Sequence, residues 1–169
     1  KTEQSHKSRP SSPQDNMVSV SRITKTVTIV DDDSEFVEVI RLILQSNESW
    51  EVVATFSSLE SFYQSLMPVP ADSKFLNNAR DVLPDLLIVD IFASSASANV
   101  SVPLTGFQVA LSLRDLGLQF GTLIISSMNS PSLLKMLRGR HKDGWAYLVK
   151  SADLISEDIF LAAHEALLP

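Results

Sequence analysis

The chain has 169 residues, no cysteine and a net charge of −6. That length suits one domain with a real core and a tail besides. The missing thiols exclude disulfides and thiolate metal sites, and are compatible with a reducing cytoplasm, the expected location. Lys and Arg are scattered, with no basic run interleaved with aromatics, so direct binding of nucleic acid is not expected. No apolar run approaches the ~20 residues that span a bilayer, and nothing at the start has the form of a signal peptide. The first residue is Lys1, as in a fragment or a processed chain, and Met17 is a candidate natural start.

Residues 1–24, rich in Ser, Pro, Gln and Lys, read as a flexible tail, and 25–169 as the folded domain. KTVTIV (25–30) has the β-branched, apolar character of a buried strand. SEFVEVIRLILQS (34–46) sets Phe36, Val37, Ile40 and Leu44 at helical spacing, with Ser34 as the expected N-cap. WEVVATF (50–56) follows as a second strand and SLESFYQSLM (58–67) as a second helix. DLLIVDIF (85–92) is a third strand, a helix is expected over 105–116, and TLIISS (122–127) is a fourth strand. SPSLLKMLRG (130–139) reads as a fourth helix with Pro131 in its first turn, WAYLVK (145–150) as a fifth strand and 152–168 as a last amphipathic helix.

Strands and helices thus alternate five times, and the third and fourth strands are apolar throughout, as they are when both faces of a sheet are covered. The pattern predicts an α/β domain, a doubly wound five-stranded parallel sheet of flavodoxin-like (βα)5 form. Two connections, 67–84 and 93–104, are longer than that plan needs, and long loops in compact domains are often functional.

In an open parallel sheet, sites form beyond the carboxyl ends of the strands. Here those ends carry Asp31, Asp32 and Asp33, then Asp90, then Ser126 and Ser127, then Lys150. Carboxylates without Cys or His suit a hard divalent cation such as Mg²⁺, which offsets their mutual repulsion. Such a rim can handle a phosphoryl group, with Lys and Ser adding a positive charge and a hydrogen bond and one Asp acting as nucleophile.

IVDDD, LLIVD, IISS and YLVK, in that order and each ending a strand, resemble the receiver domain of two-component response regulators, across residues 25–168. The resemblance implies that Asp90 accepts a phosphoryl group from a histidine kinase or phosphotransfer protein, that Asp31 and Asp32 bind Mg²⁺ with Asp90 and the backbone carbonyl of Phe92, and that Lys150 pairs with the phosphoryl group. It implies that Tyr147 is the aromatic that moves on activation. Counting back from SPSLLKML makes Ser126 the switch hydroxyl, and counting back from Lys150 makes it Ser127. The first count stays within one loop–helix unit, so Ser126 is preferred. A homodimer through the fourth-helix and fifth-strand face would suit such a domain. The resemblance also implies an output domain, of a DNA-binding kind, which is expected to be absent from these 169 residues.

The chain departs from the family in two places. The connection before Gly106 is longer than the usual turn after the phospho-acceptor, and Ser151 stands where most receivers have Pro. YLVKSA resembles receivers of LuxR- or NarL-type regulators. Two other functions compete: a degenerate receiver that only binds partners, and a phosphohydrolase of the haloacid dehalogenase type. The second would use Asp31-x-Asp33-Ser34 but needs an acidic pair after the lysine, where only Asp153 and Asp158 follow in a segment read as helical. His6, His141 and His164 make no metal spacing.

Overall fold

A computed structural model describes residues 23–66, 83–93, 105–127, 135 and 144–168. Among these, Lys25–Val30 (β1), Trp50–Phe56 (β2), Leu86–Asp90 (β3), Gly121–Ser126 (β4) and Trp145–Val149 (β5) form one parallel sheet in the order β2-β1-β3-β4-β5. Ser34–Gln45 (α1), Leu59–Leu66 (α2), Gly106–Asp115 (α3) and Ser156–Leu167 (α4) are its helices. This is the doubly wound α/β architecture that the alternation predicts, with β1 and β3 flanking the point where the strand order reverses.

The period of two along each strand divides the core into two layers. Val30, Leu87, Val89 and Ile124 pack with α2 and α3, whose Phe62, Phe107, Val109 and Leu113 are buried there. Val27, Ile29, Leu86, Ile88, Leu123 and Ile125 pack on the other side with Ile40 and Leu44 of α1 and Ile159, Ala163 and Ala166 of α4. β3 and β4 are buried at every residue, as strands covered on both faces must be. β2, at the edge, alternates, and its register against β1 shifts by one residue at Val27/Thr28.

Most element ends shift by a residue or so from the sequence reading, and three differences have a visible physical reason. Asp33, not Ser34, is the N-cap of α1: its side chain accepts the Phe36 N–H at 3.0 Å, and its carbonyl accepts the Val37 N–H. The strand expected over 85–92 is shorter, because Asp85 turns its carboxylate back onto Thr26. Asp85 Oδ2 accepts the Thr26 N–H at 2.9 Å and the Thr26 hydroxyl at 3.1 Å, and that hydroxyl accepts the Asp85 N–H at 3.0 Å. The last helix begins at Ser156 rather than 152. Residues Ala152 and Asp153 form a turn in which Leu154 N–H reaches Ser151 O, and Asp158 Oδ2 accepts the Ile155 N–H at the helix start. The expected tail lies outside the described residues except for Ile23 and Thr24, and the helix expected over 130–139 except for Lys135. Most of the two long connections lies outside them as well.

Candidate functional site

The carboxyl ends of β1, β3, β4 and β5 meet on one rim. β1 ends against Asp31, whose N–H is held by Phe56 O of β2. Asp90 is the last residue of β3 and pairs with Ile125, so that Ser126 lies one step beyond it on β4. Lys150 follows β5 directly, its N–H donating to Ser126 O at 2.9 Å. Parallel pairing in consistent register is what carries residues so distant in sequence to one edge.

The Lys150 ammonium lies between two carboxylates. Nζ donates to Asp31 Oδ1 at 2.8 Å, is 2.7 Å from Asp31 Oδ2, and donates to Asp90 Oδ2 at 2.8 Å. The other Asp90 oxygen, Oδ1, accepts the Phe92 N–H at 3.1 Å, and Asp31 Oδ1 also accepts the Asp33 N–H at 3.0 Å. Asp31 and Asp90 are buried while Asp32 is exposed. Oxygens of Asp31, Asp32 and Asp90 all lie within 4.8 Å of one another, close enough to share one ion. An all-carboxylate donor set, one member open to solvent, fits a hard cation that keeps part of its water shell.

The electrostatics follow from one ammonium serving two buried acids. Burial is the largest influence on Asp31 and raises its pKa; the Lys150 bond, the Asp33 N–H and the Lys150 charge pull it back only in part, and the Asp90 charge adds to the rise. For Lys150 burial is again the largest single influence and acts downward. The bonds to Asp31 and Asp90, with their charges, together outweigh it and hold the ammonium above the ordinary lysine range. An ion pair alone would lower Asp31. The net rise is mainly the cost of holding the Asp31 carboxylate away from water, with the nearby Asp90 charge a small addition.

The other residues singled out from the sequence are placed as follows. Ser126 is fully buried at the end of β4, while Ser127, the next residue, is exposed outside the strand. Phe92, in the turn after β3, is exposed. Tyr147 packs against the α2–α3 layer. Gly106, the first residue of α3, donates to Ile91 O at 3.0 Å, and a Cβ there would collide with the carbonyl oxygen of Asp90 and lie 2.5 Å from Val89 Cγ2. Only glycine lets α3 start this close to the site strand.

Sequence reasoning missed two features here. One is Asp33 as the α1 cap. The other is Phe36, whose ring centroid lies 4.7 Å from Lys150 Nζ. Phe36 was visible only as one apolar residue of a helix face, and nothing in its spacing points to a cation. A groove of about 680 Å³ opens at the opposite end of the sheet, lined among others by Lys25, Asp85, Arg114 and Gly144, and no residue of the carboxylate rim lines it.

No family model matches the chain, and no curated protein does. Solved structures do. The signal receiver domain of the response regulator NarL from Mycobacterium tuberculosis is 20% identical with a TM-score of 0.60, over 85% of this chain and 96% of that one. A LuxR-family two-component response regulator from an Aurantimonas species is 18% identical with a TM-score of 0.61, over 85% of each chain. A CheY-like receiver domain protein from Methanospirillum hungatei is 16% identical with a TM-score of 0.60, over 85% and 94%. The chain therefore has the receiver-domain fold. Among the described residues, no helix is long and apolar enough to cross a membrane.

Proposed function

We propose that the chain is a phospho-accepting receiver domain, which takes a phosphoryl group from a histidine kinase or phosphotransfer protein onto Asp90 and changes its partner surface in response. The observation that carries this reading is the Lys150 ammonium, bonded at once to Asp31 and Asp90 beside an exposed Asp32. A solvated cap would not bring a lysine from the far side of the sheet onto two buried acids.

Asp90 is the nucleophile: one carboxylate oxygen attacks phosphorus, the bond from phosphorus to the donor nitrogen breaks, and the donor histidine leaves with that electron pair. Phe92 N–H and Lys150 each hold one Asp90 oxygen and orient the carboxylate for attack. Asp31, Asp32, Asp90 and the Phe92 carbonyl would hold Mg²⁺, which when bound supplies positive charge to the transferring oxygens. Lys150 then balances charge on the product, and Ser126, at the buried strand end, donates its hydroxyl to the new phosphoryl oxygens. Tyr147 follows the movement of the end of β4, and the face around β5 changes its preference for a partner. Such a domain catalyses only its own phosphorylation and dephosphorylation. It works where the kinase does, in the cytoplasm.

The test is intact mass after incubation with a small phosphodonor and Mg²⁺. One added phosphoryl group is expected in wild type, and none in Asp90→Asn or with EDTA. An adduct that persists in Asp90→Asn would assign the wrong aspartate, and no adduct in wild type would overturn the reading. Nothing favours the haloacid dehalogenase alternative: Asp158 is taken up at the start of α4, and Asp153 is exposed in the turn before it.

A further inference from the structure

An ammonium carries three hydrogens. Asp31 and Asp90 engage the Lys150 ammonium on two sides, and the ring of Phe36, centred 4.7 Å from Nζ, stands on a third. That distance is within the range in which the negative face of a ring attracts a cation. Phe36 is half-buried against the α1–α4 layer, so its ring is held from behind by the core. Its backbone is held from the front, since its N–H is the one that the Asp33 cap accepts.

We infer that Phe36 is a positioning residue for the phosphorylation reaction, its ring confining the Lys150 ammonium to the line between Asp31 and Asp90. This rests on the receiver reading of the same site. With the ring in place, the ammonium cannot turn toward solvent on the α1 side, and the Lys150 side chain is only 13% exposed. It is therefore already aimed at whatever is added to Asp90. The run Asp31-Asp32-Asp33 then divides its work. Asp31 binds the ammonium, Asp32 faces solvent beside the shared oxygens, and Asp33 fixes the turn that carries the ring. Leucine at position 36 would fill much of the same space but has no face that attracts a cation.

The experiment replaces Phe36 by ring-fluorinated phenylalanines, which keep the shape and progressively remove the negative face, and by Tyr and Leu. The rate of adduct formation with a small acyl phosphate is measured at saturating Mg²⁺. The rate is expected to fall stepwise with fluorination, about three- to thirtyfold at full substitution, and to fall similarly in Phe36→Leu. Phe36→Tyr should stay within about twofold, since its ring keeps that face. Wild-type rates across the fluorinated series would overturn the positioning role and leave the receiver reading intact. A loss that disappears when Mg²⁺ is raised further would move the effect to the metal ligands and overturn it too. No adduct even in wild type would overturn the receiver reading, and the positioning role with it.

Discussion

Lys150 reaches Asp31 across the sheet, with its Nζ 2.8 Å from Asp31 Oδ1, although β3 and β4 lie between the strands that carry them. The lysine therefore passes over the end of β3 and touches Asp90 on the way. Removing it leaves two buried carboxylates facing one another. Lys150→Met is expected to cost about 3 kcal/mol of stability in the absence of metal, the usual order for stripping one partner from a buried pair. Mg²⁺ should recover part of that loss. Urea unfolding of wild type and variant, with and without Mg²⁺, measures both.

Metal binding should itself stabilise the fold. At a free Mg²⁺ concentration a hundred times its Kd, the gain is about 2.7 kcal/mol. The gain should shrink sharply in Asp32→Asn, which leaves the Lys150 contacts untouched. Thermal unfolding against Mg²⁺ concentration decides it, and an equal gain in Asp32→Asn would remove Asp32 from the ligand set.

The two serines can be separated. Ser126→Ala should slow adduct formation or shorten the adduct's lifetime by about tenfold, the worth of one hydrogen bond to a charged group. Ser127→Ala should do neither. Timed intact mass on the two variants is the measurement, and the reverse pattern would make Ser127 the switch hydroxyl.

The fold was readable to a large degree because its signals are long-range and redundant. LLIVD and TLIISS read as strands covered on both faces, and the alternation with helices leaves few topologies. The rim residues were readable because the same topology places every strand end on one edge. What was hidden depends on side-chain direction. Asp33 and Ser34 are both good caps by composition, and the choice between them rests on which oxygen meets the Phe36 N–H. The start of α4 was hidden because its cap position holds Ile155, an apolar residue that announces nothing. The ring over Lys150 was hidden because a phenylalanine on a helix face has an adequate explanation in the core alone.

Gly106→Ala should be costly for a residue at the first turn of a helix, where the change is ordinarily mild. Its Cβ would meet the Asp90 carbonyl and Val89, backbone and buried side chain, so β3 or α3 must shift. A loss of about 3 kcal/mol is expected from such overpacking, together with slower phosphorylation because Asp90 moves. Denaturant unfolding and the adduct assay report the two effects.

The Thr26–Asp85 clasp gives a pH signature away from the site. Burial is the largest influence on Asp85 and acts upward. The Thr26 N–H and hydroxyl and the Lys25 ammonium together outweigh it and hold the carboxyl below its usual range. The folded pKa is thus below the unfolded one. The clasp contributes fully above the ordinary aspartate value and is lost as pH falls through the lowered one. Asp85→Ala should therefore destabilise at neutral pH, by about 1–2 kcal/mol for the lost bonds, and by progressively less in acid. Stability against pH for the two proteins checks the sign.

The contacts that complete the carboxylate rim also have a place in time. Asp85 and Thr26 are 59 positions apart in the chain, and Lys150 and Asp31 are 119 apart. Closing the second pair requires β5 to have docked on β4, whereas the first needs only β1 and β3. A folding order in which β1 and β3 pair before β5 docks, which their smaller sequence separation favours, would bring the two acids together before their lysine arrives. In that order, docking of β5 would relieve a repulsion that the earlier pairing creates. A chain without β5 would hold Asp31 and Asp90 on an acidic edge with no lysine to balance them.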